Sequence, residues 1–78
     1  MLKINIKLDT VDKVKEFVKE VTTMECGADL VNGKYRVDAK SILGIFSLDL
    51  TKVMVLELGC DEDDEEKYKA AMARFTVD

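Results

Sequence analysis

Histidine is absent from this chain of 78 residues, and cysteine occurs only twice. Both shortages limit metal chemistry, because a structural zinc site takes four ligands and only Cys26 and Cys60 offer sulfur. The acidic run Asp61–Glu66 lacks the spaced ligands and the glycine of a calcium loop. We therefore predict no metal site and no cofactor, and we interpret both cysteines as reduced thiols in the hydrophobic core.

Long apolar runs are missing too, and basic residues are outnumbered. No run approaches the ~18 residues that a membrane-spanning helix needs, and nothing resembles a signal peptide. Together with the scarce cysteines, this predicts a protein of the reducing cytoplasm that does not bind membranes. Lysine and arginine number 12 against 16 acidic residues, and the net charge of -4 makes nucleic acid a poor partner.

The first half of the chain changes its hydrophobic period twice. Alternation over Leu2–Leu8 predicts a strand, and helical spacing then predicts an amphipathic helix with Asp9 or Thr10 as N-cap. Alternation returns over Met24–Leu30, which predicts a second strand. The apolar stripe of the helix is Val11, Val14, Phe17, Val18 and Val21.

A hairpin is predicted next, because Asn32-Gly33 tolerates the positive φ angles of a type I′ turn. A two-residue loop at this dipeptide places the apolar residues of both strands on one face. The predicted cross-strand pairs are Leu30 with Tyr35 and Ala28 with Val37.

The second half predicts a helix, a strand and a helix. Ser41 is a natural N-cap, a strand follows over Val53–Cys60, and Asp63–Glu66 open a last helix whose dipole they complement. The short helix contains the apolar residues Ile42, Leu43, Ile45, Phe46 and Leu48. The buried stripe of the last helix is Tyr68, Ala71, Met72 and Phe75.

These elements predict one α+β domain over residues 1–78, in the order β-α-β-β-α-β-α. Each strand has one apolar face and each helix an apolar stripe that can cover it. A four-stranded antiparallel sheet with three helices on one face buries all of them and leaves the other sheet face to water. This architecture is an open-faced β-sandwich.

The stretch Val37–Leu48, with the sequence VDAKSILGIFSL, resembles the second half of HPr, the small phosphocarrier of the bacterial sugar phosphotransferase system. A weaker similarity lies in Phe17–Glu20, and the resemblance extends along the whole chain. It implies the same open-faced β-sandwich and a function that depends on protein partners.

The chain departs from the phosphocarrier pattern of that family. Counting back from Phe17, the phosphorylated histidine of the family falls at Thr10 and its assisting arginine at Asp12. A threonine hydroxyl would need a base for activation and would form a stable ester, while Asp12 would repel a phosphate. We therefore expect no catalytic residue, and we interpret Thr10 as a helix cap.

Ser41 lies at a second position that matters in the family. In many HPr proteins of low-GC Gram-positive bacteria, a dedicated kinase phosphorylates the serine here, and the modified protein binds a transcription regulator. The catabolite repression HPr branch lacks the histidine and keeps this serine, as this chain does. Regulatory phosphorylation of Ser41 is thus one hypothesis, and a purely structural cap is the other.

The helix after Ser41 is the candidate docking surface, because HPr proteins use the exposed part of this helix with their first helix to bind partners. That resemblance implies that Ile42 and Phe46 lie toward the outside, with Lys40 nearby. Leu43 is a further candidate for this surface, although we interpret it as a core residue. The lysines of the first helix either add a basic rim or form its solvated face.

We therefore expect a non-catalytic, HPr-like interaction and regulatory module related to the sugar phosphotransferase system. Its implied partners are a serine kinase and a transcription regulator, with Ser41 as the switch. The alternative is a phosphocarrier in a phosphoenolpyruvate-dependent relay that uses an acceptor other than histidine.

Overall fold

The computed structural model describes residues 1–77. Its elements are β1 (Leu2–Ile6), α1 (Val11–Thr22), β2 (Ala28–Asn32), β3 (Tyr35–Asp38), α2 (Ile42–Phe46), β4 (Met54–Leu58), α3 (Glu62–Met72) and a 3-10 turn (Ala73–Phe75). All strand pairs are antiparallel, and the strands lie in the order β1-β4-β2-β3. The element order and the open sheet confirm the predicted fold.

One face of the sheet carries the hydrophobic core. Even-numbered positions of β1, β2 and β4 are buried, except for the half-buried Asn32 at the end of β2, while the odd-numbered positions are half-buried or exposed. The register places Ile4 beside Leu56 and Leu56 beside Leu30, so the core runs across three strands. The period-two alternation of the sequence therefore gave the correct facing of each strand.

Helix α1 covers the sheet with the predicted stripe, except at its first residue. The ring of Phe17 is fully buried and meets the ring of Phe75 edge-on, with centroids 5.6 Å apart. Such aromatic pairs add about 0.5–1.5 kcal/mol beyond the burial itself. Val11, by contrast, is 55% exposed, because it lies in the first turn where the core ends.

The predicted hairpin register is wrong by two residues. Asn32 pairs with Tyr35, and Leu30 pairs with Val37, so the loop consists of Gly33 and Lys34. Gly33 has a φ of 61°, and no non-glycine residue among positions 1–77 has a positive φ, which excludes a type I′ turn. The side-chain amide of Asn32 donates to the backbone carbonyl of Asp49 at 3.1 Å, and this long-range bond favours a position for Asn32 within the strand.

The regular strands are shorter than the hydrophobic alternation suggested. Leu8 and Met24 lie outside β1 and β2, and both are buried. The alternation therefore predicted which residues are buried, but not where the strand hydrogen bonds end. Cys26 and Cys60 also lie outside the strands, and both are half-buried beside the core. The expectation that the two thiols lie within the core is therefore wrong, since both residues are only partly buried at its edge, although both are free thiols as expected.

The helices of residues 1–77 are all too short or too polar to span a membrane.

Candidate functional site

The hydroxyl of Thr10 caps helix α1. Thr10 has extended backbone angles (φ -134°, ψ 156°), and its Oγ1 accepts a hydrogen bond from the backbone N–H of Lys13 at 3.1 Å. The carbonyl of Thr10 accepts from the N–H of Val14, also at 3.1 Å. These are the bonds of an ordinary N-cap, and they select Thr10 over Asp9 for this role.

The charged groups next to Thr10 do not favour nucleophilic chemistry. Lys13 Nζ lies 3.0 Å from Asp9 Oδ1, and its hydrogen bond and charge lower the pKa of Asp9. A carboxylate with a lowered pKa is a weak base, so Asp9 is poorly suited to take a proton from Thr10. Asp12 is exposed in the first turn, where it complements the helix dipole and would oppose an incoming phosphoryl group.

Ser41 is the N-cap of α2, as predicted. Its Oγ accepts from the N–H of Gly44 at 3.2 Å, and its carbonyl accepts from the N–H of Ile45 at 3.0 Å. The residue is exposed, so solvent reaches the hydroxyl. A β-carbon at position 44 would lie 3.3 Å from this oxygen, and the glycine therefore leaves the hydroxyl uncrowded.

Lys40 has a structural role beside Ser41. Its Nζ donates to the carbonyl of Met24 at 2.9 Å, in a partly buried contact. Its backbone N–H donates to Asp38 Oδ1 at 2.9 Å. Lys40 thus joins the start of α2 to the connection between α1 and β2, and its use in binding a partner stays a prediction.

Helix α2 presents apolar side chains to solvent. Ile45 is fully buried and anchors the helix, whereas Leu43 is 81% and Phe46 41% exposed. Ile42 is half-buried against the core. We call Ile42, Leu43 and Phe46 the α2 patch. Exposed apolar surface of this kind is typical of partner sites.

The structure corrects the interpretation of Leu43 as a core residue. An α-helix turns by about 100° per residue, so Leu43 points about 160° away from the buried Ile45. By the same geometry Ile42 lies about 60° from Ile45, which explains why it is half-buried although it was expected outside. Phe46 lies on the flank between core and solvent, as expected.

Sequence reasoning missed Val11 as a possible functional residue. It follows the Thr10 cap directly and is the exposed apolar residue of α1. The signal in the sequence was its position as the first residue of the helix, where the end of the helix can lie beyond the edge of the sheet. Spacing alone assigned it to the buried stripe.

A groove lies at the end of the sheet where β2 begins and β4 ends. It is bounded by the connection after α1 and by the start of α3. Cys26, Cys60, Asp64 and Tyr68 are among the residues that line it, and both cysteines are free thiols. Burial raises the pKa of Cys26, and the proximity of Cys60 raises it further. No three histidine, cysteine or acidic side chains in the described part of the chain are arranged to hold a metal ion.

Comparison with known proteins agrees with the fold and covers most of the chain. The family model described as "PTS HPr component phosphorylation site" matches residues 11–77. No curated protein matches the chain.

Two solved structures are similar to this chain. HPr-C-His from Thermoanaerobacter tengcongensis has a TM-score of 0.77 at 25% sequence identity, over 95% of this chain and 89% of that chain. The phosphocarrier protein HPr from Bacillus anthracis str. Ames has a TM-score of 0.71 at 20% identity, over 97% of this chain and 94% of that chain. The second similarity is a similarity of fold.

The matched residues include all of α1, the hairpin, the Ser41 cap and the α2 patch. The element order, the open sheet and the family match therefore agree with one another. The chain belongs to the HPr family of the phosphotransferase system, whose members are phosphocarriers.

Proposed function

We propose that this chain is a non-catalytic member of the HPr family that acts through protein binding and is switched by phosphorylation at Ser41. The observation that carries this proposal is the difference between the surroundings of its two helix caps, since both hydroxyls accept a cap hydrogen bond and both residues are exposed. The chain has no histidine, and Thr10 lies beside an ion-paired Asp9. Ser41 lies next to an exposed apolar patch.

A phosphate on Ser41 would change the surface and leave the fold intact. It adds a charge of about -1.5 to -2 at pH 7 and three strong acceptor oxygens. The N–H of Gly44 already points at the Ser41 oxygen, so the phosphate meets free amides at the start of α2. Leu43 then lies close in sequence to a dianion and remains exposed.

The partner that fits this surface has an apolar pocket bordered by basic residues. The apolar pocket receives Leu43 and Phe46, and the basic residues pair with the phosphate. By the resemblance to catabolite repression HPr, the modifying enzyme is a serine kinase and the reader is a transcription regulator. Both would act in the cytoplasm, the compartment that the scarce cysteines favour.

The test is to incubate the chain with an HPr serine kinase and ATP, and to locate any phosphate by mass spectrometry. We expect one phosphate, on Ser41, and none on a Ser41→Ala variant. Ser47 is a matched control, because it is an exposed serine at the C-terminal end of the same helix. Ser47→Ala should be phosphorylated like the wild type. An active kinase that leaves Ser41 unmodified would reduce Ser41 to a cap.

A relay function with another acceptor is the second candidate, since the matched family model is named for a phosphorylation site. This candidate requires that the chain take phosphate from phosphoenolpyruvate through Enzyme I. The local chemistry opposes it, because Thr10 lacks a suitable base and Asp12 repels phosphate. Labelling from phosphoenolpyruvate through Enzyme I separates the two functions.

A further inference from the structure

The ladder between β2 and β4 continues past the ends of both strands. Its last regular pair is Ala28 with Leu58, and the N–H of Gly59 then donates to the carbonyl of Gly27 at 2.9 Å. Cys26 directly precedes Gly27 and Cys60 directly follows Gly59, so this bond brings the two cysteines to the same end of the sheet, although they are 34 positions apart in the chain.

This placement suits a disulfide. Gly27 and Gly59 are hydrogen-bonded neighbours across the two chain segments, where facing Cα atoms are typically about 4.5–5.5 Å apart, and each cysteine is next to one of these glycines. A disulfide needs a Cα separation of about 4.4–6.8 Å. Both cysteines pack against the core, which lies on the helix-covered side of the sheet.

The surroundings leave both thiols reachable and free to adjust. Cys26 and Cys60 are half-buried, and they line the same groove. A glycine adjoins each of them, and a β-carbon at Gly27 would have no neighbour within 4 Å. Cys60 is also close enough to raise the pKa of Cys26, which places the two sulfur atoms in one environment.

We propose that Cys26 and Cys60 are a reversible modification site that closes to a disulfide when the chain meets a low-molecular-weight disulfide such as oxidised glutathione. One thiolate attacks the glutathione disulfide, forms a mixed disulfide and releases one reduced glutathione. The second cysteine then attacks the bound protein sulfur and releases the other. Two protein thiols are oxidised to one disulfide while one glutathione disulfide is reduced to two thiols.

The closed bond links the connection before β2 to the start of α3. It therefore restricts the unfolded chain and stabilises the folded one. The two states differ at the groove, and the bond from Lys40 to the Met24 carbonyl joins the connection that contains Cys26 to the start of α2. The proposal does not rest on the phosphorylation of Ser41, because its readouts are the thiols and the melting temperature of the unphosphorylated chain.

The test is to incubate the full chain in dilute solution with oxidised glutathione at a mildly alkaline pH, because the raised pKa of Cys26 makes its thiolate scarcer near neutrality. We expect the intact mass to fall by two hydrogen atoms and the free-thiol titre to fall from two to zero. The melting temperature should rise by at least about 5 °C and return on addition of a dithiol reductant.

Single variants make the result specific. Cys26→Ser and Cys60→Ser should each gain the mass of one glutathione and show no comparable rise in melting temperature. These adducts would show that each thiol is reachable and that ring closure removes the adduct from the wild type. A wild-type chain that keeps both thiols, carries two glutathiones or forms linked dimers would overturn the proposal.

Discussion

At the scale of single residues, Thr10 caps helix α1 but lacks the imidazole that accepts a phosphoryl group in phosphocarriers of the HPr family. Thr10 has the hydrogen bonds of an N-cap, and Lys13 forms an ion pair with the carboxylate of Asp9. Neither group can replace an imidazole that accepts and releases a phosphoryl group. The loss of phosphoryl transfer stays a prediction from the sequence, because it rests on residue types and not on tertiary contacts.

Restoring the acceptor alone should therefore recover little activity. A Thr10→His variant keeps Asp12, whose negative charge opposes the incoming phosphoryl group, so we expect only slow transfer from phosphorylated Enzyme I. The double variant with Asp12→Arg should be labelled faster, because the guanidinium binds the developing charge. Rates of labelling from phosphoenolpyruvate measure the difference, and equal rates for the two variants would contradict the role given to Asp12.

Phe17 tests the packing of the core. Its ring is fully buried and meets Phe75 edge-on, so Phe17→Ala should lower the free energy of unfolding by about 3–5 kcal/mol. Phe46→Ala is the matched control, since Phe46 is 41% exposed and should cost below about 1 kcal/mol. Reversible urea titration measures both. A loss below about 1 kcal/mol for Phe17→Ala would contradict its place in the core.

At the scale of elements, hydrophobic period and capping residues predicted every helix and strand, but not all of their details. The Ser41 cap followed from the residue type and the apolar run after it. The exposure of Leu43 did not, because α2 has five residues and its facing depends on which of them meets the core. The hairpin register depends on a bond from Asn32 to Asp49, which short-range patterns do not contain.

The cap of α2 can be tested apart from phosphorylation. Ser41→Ala removes the oxygen that accepts from Gly44 and should cost about 0.5–2 kcal/mol. Ser41→Asp restores an acceptor and adds a negative charge at the helix start, so its melting temperature should stay within a few degrees of the wild type. Thermal unfolding of both variants checks this, and a Ser41→Asp variant as unstable as Ser41→Ala would show that an anion is not tolerated there.

At the scale of the whole molecule, both helix caps belong to the helical layer, and the face of the sheet that the helices leave open takes no part in them. One face of the sheet supplies the core, and the open face carries an ion-pair cluster in which Arg36 binds Asp29 and Glu57 at 3.0 and 2.9 Å. The fold was predictable because every strand alternates and every helix has one stripe. Whether Ser41 is modified depends on other proteins, so neither the sequence nor the fold determines it.

The central claim is that this HPr-family fold no longer carries phosphate from phosphoenolpyruvate. The most direct measurement is to incubate the chain with Enzyme I and labelled phosphoenolpyruvate, with a histidine-containing HPr labelled in parallel as the positive control. We expect label on the control and none on this chain. Rapid, acid-labile label on this chain would contradict the account and establish the relay function instead.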